Sequence, residues 1–251
     1  MDLGLSERVY VVTGGARGLG RATADLLVAE GARVVLSGRS RDTLDAAVAQ
    51  LGDSAVAVAG DNADPETATR VVAAAQDTWG RVDGALVSVG GPPPGPALEI
   101  SDEVWTSSFQ SVFVGGLRVA RTVAAAIRGP GSIAFVLSTS VRAPISNLAV
   151  SNGLRPGLAM VAKMLADELG PRDIRVNGLL PGRVATERIA ELDAASGDAE
   201  AARKSAIAGI PLGRNGEPAE FAAAAAFLLS PASSFVSGAM LPVDGGMTRA
   251  L

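Results

Sequence analysis

The sequence predicts a single doubly wound α/β domain of the Rossmann type, with a parallel sheet of about seven strands and helices on both faces. Three observations predict it. Short, continuous apolar runs alternate with helical patterns along the chain, as they must when every strand is covered on both faces and joined to the next by a helical crossover. A glycine-rich turn follows the first apolar run and opens the first helical pattern. The length, 251 residues, suits one large α/β domain, and no repeat or linker composition divides residues 1–251.

The elements follow in order. Residues 9–12 read as the first strand and 19–30 as a helix that Gly31 stops. Residues 33–37 form the second strand, 43–51 a helix and 55–59 the third strand. Pro65 opens the next helix, where its missing N–H costs little. Residues 84–89 form the fourth strand, and the Pro/Gly run 90–96 a stiff loop. Residues 102–127 read as one long helix and 132–137 as the fifth strand. A helix over about 154–169 leads to the sixth strand at 174–180. A helix near 217–229 and a strand near 239–243 close the chain. The alanine-rich stretch 222–226 reads as a tightly packed helix.

Composition narrows the chemistry. Hydrophobic residues make up 48% and charged residues 19%, enough for a sizeable core. The net charge of −4 and the lack of a basic patch argue against nucleic acid as a partner. No apolar run reaches the roughly 18 residues of a membrane span, and residues 1–4 show no signal-peptide pattern. A cytoplasmic location is the expectation. The chain has no cysteine and no histidine, and its one tyrosine is Tyr10. A Ser-His-Asp triad and His- or Cys-ligated metal sites are therefore excluded, and no metal is expected. Acid–base chemistry falls to carboxylates, lysine, arginine, hydroxyls, water or the substrate.

The segment Thr13-Gly14-Gly15-Ala16-Arg17-Gly18-Leu19-Gly20 lies between the first strand and the first helix. Glycines there let the backbone turn sharply and approach a pyrophosphate, while the helix N-terminus offers N–H groups and the positive end of its dipole. Gly14, Arg17, Gly18, Leu19 and Gly20 are the candidates for that contact. At the end of the second strand, an acidic residue would bind the ribose 2′-hydroxyl of NAD. This chain has Ser37-Gly38-Arg39-Ser40 instead. Arg39, with Arg17, could pair with the 2′-phosphate of NADP(H), or both could be solvated surface residues. Asp61, after the third strand, could accept from the adenine amino group or serve as a turn aspartate.

These residues resemble the short-chain dehydrogenase/reductase family, most closely its 3-oxoacyl-carrier-protein reductase-like members, over nearly the whole chain. The glycine turn resembles the family's TGxxxGxG, Asp61 its adenine-contacting aspartate, and Asp83 the aspartate before the fourth strand. Arg175-Val176-Asn177 and Pro181-Gly182-Arg183-Val184-Ala185-Thr186 resemble the segment around pyrophosphate and nicotinamide. Residues 210–214 and 243–246 resemble the C-terminal signatures. The resemblance implies NADP(H) as cofactor, with Asn62, Gly90, Pro181, Gly182, Val184 and Thr186 added to its contacts. It also implies a small-molecule substrate under a lid over residues 184–215, and a homotetramer or homodimer.

The resemblance breaks at the catalytic positions. The family's NNAG is Ser88-Val89-Gly90-Gly91 here. Counting back from Asn177, the tyrosine and lysine of YxxxK fall on Ser151 and Arg155, and the helix asparagine on Val112. The family serine is Ser138, with Ser140 as the alternative; Ser138 is equally readable as a strand-end serine bonding backbone. A serine hydroxyl is a far weaker acid than a phenol. Arg155 keeps a positive charge and could polarise an oxyanion, but it donates no proton near neutral pH. Pro156 disfavours helical geometry at Arg155, so the helix is expected to start later or to kink. Ser138, Ser151 and Arg155 are the candidate catalytic residues.

Three functions remain open. The first is an atypical oxidoreductase using NADP(H) on a carbonyl/alcohol substrate without the Tyr/Lys pair. The second is a non-redox enzyme on the same scaffold, as in the halohydrin dehalogenases, which also carry arginine at the lysine position but keep the tyrosine. The third is a catalytically inactive, NADP(H)-binding partner subunit.

Overall fold

The computed structural model describes residues 1–195 and 197–250; position 196 of the expected lid and position 251 of the expected domain lie outside them. Seven strands form one parallel sheet in the order β3-β2-β1-β4-β5-β6-β7: β1 (Val9–Thr13), β2 (Arg33–Gly38), β3 (Ala55–Ala59), β4 (Gly84–Val87), β5 (Gly131–Val136), β6 (Ile174–Pro181) and β7 (Met240–Val243). The chain winds outward from β1 in one direction to β3, then restarts at β4 in the other. The carboxyl ends of β1 and β4 therefore border the crevice where such sheets bind ligands.

Side chains alternate across each strand with period two. On β1, Val9 and Val11 enter one core layer, Tyr10 and Val12 the other. The first layer lies under α3 (Pro65–Trp79), α5 (Gly115–Ala126) and α6 (Ala149–Leu169), and the second under α1 (Gly18–Ala29), α2 (Arg41–Leu51) and α9 (Pro218–Leu229). Helices α4 (Asp102–Ser108), α7 (Glu187–Ala194) and α8 (Ala199–Ala208) complete the set. The helix starts follow the caps: Asp64 accepts from the Glu66 N–H ahead of Pro65, and a Glu217/Glu220 capping box starts α9. Among the described residues, no helix is long and apolar enough to cross a membrane.

Two expectations about helices are corrected. The stretch expected as one α-helix over 102–127 is interrupted by a π-helical segment, Phe109–Val114, between α4 and α5. It holds Val112, at 2% exposure, against Val150 and Leu154 of α6. More important, α6 begins at Ala149 and runs through Pro156. Proline removes one intrahelical bond, but the segment is held on both sides. Ser151, Leu154, Arg155, Leu158 and Ala159 are all buried, and the Asn152 amide clamps the preceding loop by exchanging hydrogen bonds with the backbone of Ile145 (3.0 and 2.8 Å). Tertiary packing outweighs local preference here, so positions 151 and 155 lie one helical turn apart on the buried face.

Candidate active site

The site is built at the carboxyl ends of β1, β4, β5 and β6. Thr13 closes β1, and its hydroxyl donates to the Ser88 carbonyl (2.8 Å) while accepting from the Ser88 N–H (2.9 Å). This reciprocal pair fixes the glycine turn against the segment after β4. Gly14 has φ +59°, a conformation that disfavours a side chain, and a Cβ there would lie 2.8 Å from the Ser88 carbonyl. A Cβ on Gly20 would collide with the Gly14 carbonyl. Arg17 stands at the N-cap of α1 without a capping side chain, so the first-turn N–H groups at Gly18, Leu19 and Gly20 face outward with no side-chain acceptor. Such an end suits an anion.

The second charged element is Arg39, which is exposed and forms no hydrogen bond or ion pair among the described residues. Ser37, two residues earlier, has a buried hydroxyl oxygen without a partner. Arg17 has a different fate: its guanidinium pairs with Glu187 of α7 at 3.0 Å. Asp61 is exposed and accepts from the Ala63 N–H at 2.9 Å, a turn that leaves its second oxygen open. The carbonyls of Asn62 and Ala63 accept from Arg118 of α5 (3.0 and 3.3 Å), which fixes this loop. At the end of β6, Pro181 pairs with Val243; beyond it Gly182 approaches Asp244, Val184 is buried and bridged to Gly216, and Thr186 stands at the N-cap position of α7 beside Gly18. Gly90 faces open space. The residues present thus fit a dinucleotide: close-packed glycines, an uncapped helix end and, among the described residues, an unpaired cation just beyond β2.

The catalytic candidates separate into two groups. Ser138 is half-buried and caps a short 3-10 turn (Thr139–Val141) by accepting from the Ser140 N–H at 3.0 Å. Ser140, the alternative serine, is the one that faces Ser151. Both are buried, and their hydroxyl oxygens are 3.5 Å apart, at the long limit of a hydrogen bond. Arg155 lies one turn further along α6, 5% exposed. Its guanidinium donates through Nη1 to the Val136 carbonyl at the end of β5, and through Nη2 to the Val89 carbonyl after β4 (3.2 Å). Its Nε–H is buried without a partner. Burial alone pulls this guanidinium down from its ordinary value to about 10, so it stays charged at neutral pH. Arg155 is therefore a cation set beneath the hydroxyls and fastened to two strand ends.

Other groups are excluded by position. Tyr10 donates to the Leu229 carbonyl at 3.1 Å in the core, and burial pushes its phenol up. It lies in β1, three residues before the strand's carboxyl end (Thr13). Lys163 packs against Gly238. Arg142 is exposed in the loop after β5.

The sequence reading missed the ties of the lid. Arg183 holds Asp193 through two hydrogen bonds (2.9 and 2.7 Å) and also reaches Asn215 (3.3 Å). Arg188 of α7 donates to the Pro92 carbonyl at 2.8 Å and crosses Gly91. Lid, glycine turn and proline loop are laced together by charged side chains whose partners are distant in sequence, so no local pattern reveals them. Also missed was a cleft of about 370 Å³ walled by Pro96, Trp105, Pro144, Ile145 and Asn152. Trp105 is an aromatic wall on α4 that no spacing rule identifies.

A parallel sheet with a glycine turn at its switch point, feeding an uncapped helix, defines a dinucleotide-binding protein of the Rossmann class. Comparison with known proteins narrows the class. The short-chain dehydrogenase family model described as Enoyl-(Acyl carrier protein) reductase matches residues 14–248. The chain is 36% identical to an uncharacterized oxidoreductase of Mycobacterium tuberculosis (97% of this chain, 93% of the relative). It is 32% identical to L-rhamnose 1-dehydrogenase (NAD(P)(+)) of Azotobacter vinelandii (97% of each). The solved L-sorbose reductase of Gluconobacter frateurii, complexed with NADPH and L-sorbose, superimposes with a TM-score of 0.95 at 30% identity over the full length of both chains. The chain belongs to the short-chain dehydrogenase/reductase family of NAD(P)-dependent oxidoreductases.

Proposed function

We propose that the protein is an NADP(H)-dependent oxidoreductase acting on a carbonyl/alcohol pair of a small molecule without a tyrosine–lysine proton relay. One observation supports this reading: Arg39, just beyond the carboxyl end of β2, is exposed and has no partner among the described residues, which leaves its charge available to a 2′-phosphate. In this reading Gly14, Gly18, Leu19 and Gly20 hold the pyrophosphate and Asp61 and Asn62 face the adenine. Gly90, Pro181, Gly182, Val184 and Thr186 surround the nicotinamide half. The NADPH complex of the L-sorbose reductase supports the cofactor assignment.

When bound, the dihydronicotinamide supplies the hydride. The chain's own part is electrostatic. Ser138, Ser140 and Ser151 offer hydroxyl donors to a substrate oxygen, and water supplies the net proton. Arg155 places an uncompensated positive charge behind those hydroxyls and stabilises negative charge developing in front of them. The lid ties at Arg183, Arg188 and Glu187 hold residues 184–195 over the cleft.

We also propose a cytoplasmic homotetramer or homodimer. The outward side chains Phe109, Met160 and Met164, exposed at 39%, 65% and 54%, support a helix face that a second copy covers.

A second reading is an inactive NADP(H)-binding partner subunit. It is favoured by the Arg155 hydrogen bonds to the Val136 and Val89 carbonyls, which give this residue a structural use. One experiment separates the two. Calorimetric titration with NADPH establishes stoichiometric binding, and a carbonyl-substrate screen follows on the same preparation. Binding with NADPH oxidation supports the oxidoreductase; binding without turnover across the screen supports the partner subunit. Absence of NADPH binding rejects both.

A further inference from the structure

The hydroxyls that face one another in the site have no proton donor behind them. Ser140 and Ser151 sit 3.5 Å apart, and the group one turn along α6 is Arg155, whose donors reach the Val136 and Val89 carbonyls. The chain has no histidine or cysteine, Tyr10 is bound to Leu229 in the core, Lys163 packs on Gly238, and Asp193 accepts twice from Arg183. What the site does hold is a buried cation facing no carboxylate, with one N–H left without a partner. A buried charge without a counter-charge is costly, and an oxyanion in front of it is the arrangement that offsets the cost.

Product basicity then selects the substrate. Hydride addition to an isolated ketone leaves an alkoxide about as basic as hydroxide. Such an ion demands an acid in the same step. Hydride addition to a conjugated acceptor leaves a delocalised oxyanion, and a phenol, its simplest model, has a pKa of about 10. Two hydroxyls and a fixed cation can hold that ion until water reaches it.

We infer that the substrate is a conjugated carbonyl compound, a quinone or an enone, whose reduced form is bound as a delocalised oxyanion by Ser140 and Ser151 in front of Arg155. The inference rests on the oxidoreductase reading above. The acceptor gains a hydride at its electrophilic position and its π pair moves onto oxygen. NADPH, the two-electron reductant, leaves as NADP⁺, and the oxyanion takes its proton from water after the transfer. No side chain gains or loses a proton over the cycle.

The test uses 4-nitrophenol as a product analogue on the NADP⁺-loaded protein, after calorimetry has measured NADP⁺ binding. The absorbance of the phenolate follows ionisation of the bound phenol as pH is varied. The expected result is a bound-phenol pKa at least one unit below that in free solution, a tenfold preference for the anion. That shift should be lost in Arg155→Met and reduced in Ser140→Ala and Ser151→Ala; the serine variants keep the test decisive if the buried arginine cannot be replaced without unfolding. A wild-type shift of zero, or one untouched in both serine variants, overturns the inference. A second readout compares NADPH oxidation by 1,4-naphthoquinone, 2-cyclohexenone and cyclohexanone. One or both conjugated acceptors should react at least 10²-fold faster than cyclohexanone, and which one does identifies the acceptor type. Equal rates on all three overturn the inference and leave the oxidoreductase reading standing. Failure of NADP⁺ to bind removes that reading and this inference together.

Discussion

The Arg17 guanidinium lies 3.0 Å from the Glu187 carboxylate, joining the glycine turn at the start of α1 to the first turn of the lid helix α7. Both side chains are well exposed, at 62% and 64%, and exposed ion pairs of this kind contribute only about 0.2–1 kcal/mol. The pair adds to the lid contacts made by Arg183 with Asp193 and by Arg188 with the Pro92 carbonyl. Arg17, expected as a second charge for the 2′-phosphate, thus has a protein partner, whereas Arg39 has none among the described residues.

Glu187→Gln is therefore expected to speed NADPH release by a few-fold and to leave the association rate nearly unchanged. Stopped-flow fluorescence of the bound dihydronicotinamide measures both rates. The effect should shrink as salt is raised, because exposed charges are screened. A release rate that is unchanged at low salt would show that the pair does not latch the lid.

In the proposed reading, the preference between the two dinucleotides falls to Arg39. NADPH is expected to bind at least tenfold more tightly than NADH, about 1.4 kcal/mol, and Arg39→Ala should erase most of that difference while leaving NADH affinity unchanged. Arg17→Ala should do so less, since its charge is shared with Glu187. Equal affinities for the two dinucleotides in the wild-type chain, measured by calorimetry, would remove the 2′-phosphate assignment.

The sheet was legible in the sequence because most strands are short, largely apolar runs bounded by glycine, proline or polar residues, and these signals are local. The cofactor end was legible for the same reason: residues 13–20 lie together in the chain and in space. The catalytic end was not. Pro156 is a local signal for a helix break, yet buried residues before and after it on one face and the Asn152 clamp carry α6 through it. Spacing pointed to Ser151 and Arg155 as candidates, and it could not give the direction of the Arg155 donors, because Val89 and Val136 are brought together only by the sheet. The choice between Ser138 and Ser140 also needed the 3-10 turn, which commits Ser138 to the Ser140 N–H and leaves Ser140 facing Ser151.

Continuity of α6 makes restoration of the missing pair a meaningful experiment. In Ser151→Tyr with Arg155→Lys, the new side chains stand one turn apart on the buried face. The lysine ammonium has three donors with which to replace the bonds to Val136 and Val89. The double variant is expected to gain activity on simple ketones or 3-oxoacyl thioesters while keeping NADPH affinity. Crowding by the phenol at a buried serine should cost about 1–3 kcal/mol of stability, read from denaturant unfolding. A folded double variant that binds NADPH and still fails on simple ketones would place the obstacle elsewhere in the site, with Val112 the next residue to change.

The pH dependence of the unmodified chain follows from Arg155 and separates its two roles by sign. Burial lowers this guanidinium from its ordinary value to about 10. Below pH 10 it is charged in both the folded and the unfolded chain, so its burial penalty is constant. From about pH 10 up to the ordinary guanidinium value the folded chain has released the proton and the unfolded chain retains it, so the unfolded state binds more protons and this group's contribution to stability rises with pH. Turnover moves the opposite way, because the charge that stabilises the substrate oxygen is lost in the same window. kcat/KM is therefore expected to be flat from pH 6 to 9, with no fall from a catalytic phenol, and to decline only as pH approaches 10 and passes it. Arg155→Met should lower turnover on the order of 10²-fold, the usual scale for an oxyanion donor, and should remove the alkaline decline. Rates measured from pH 6 to 10.5 on both proteins, with unfolding followed in the same buffers, decide the matter. A decline centred below pH 9 in the wild type, or one that persists in Arg155→Met, would assign the titrating group to another residue and return Arg155 to a structural part beneath the serines.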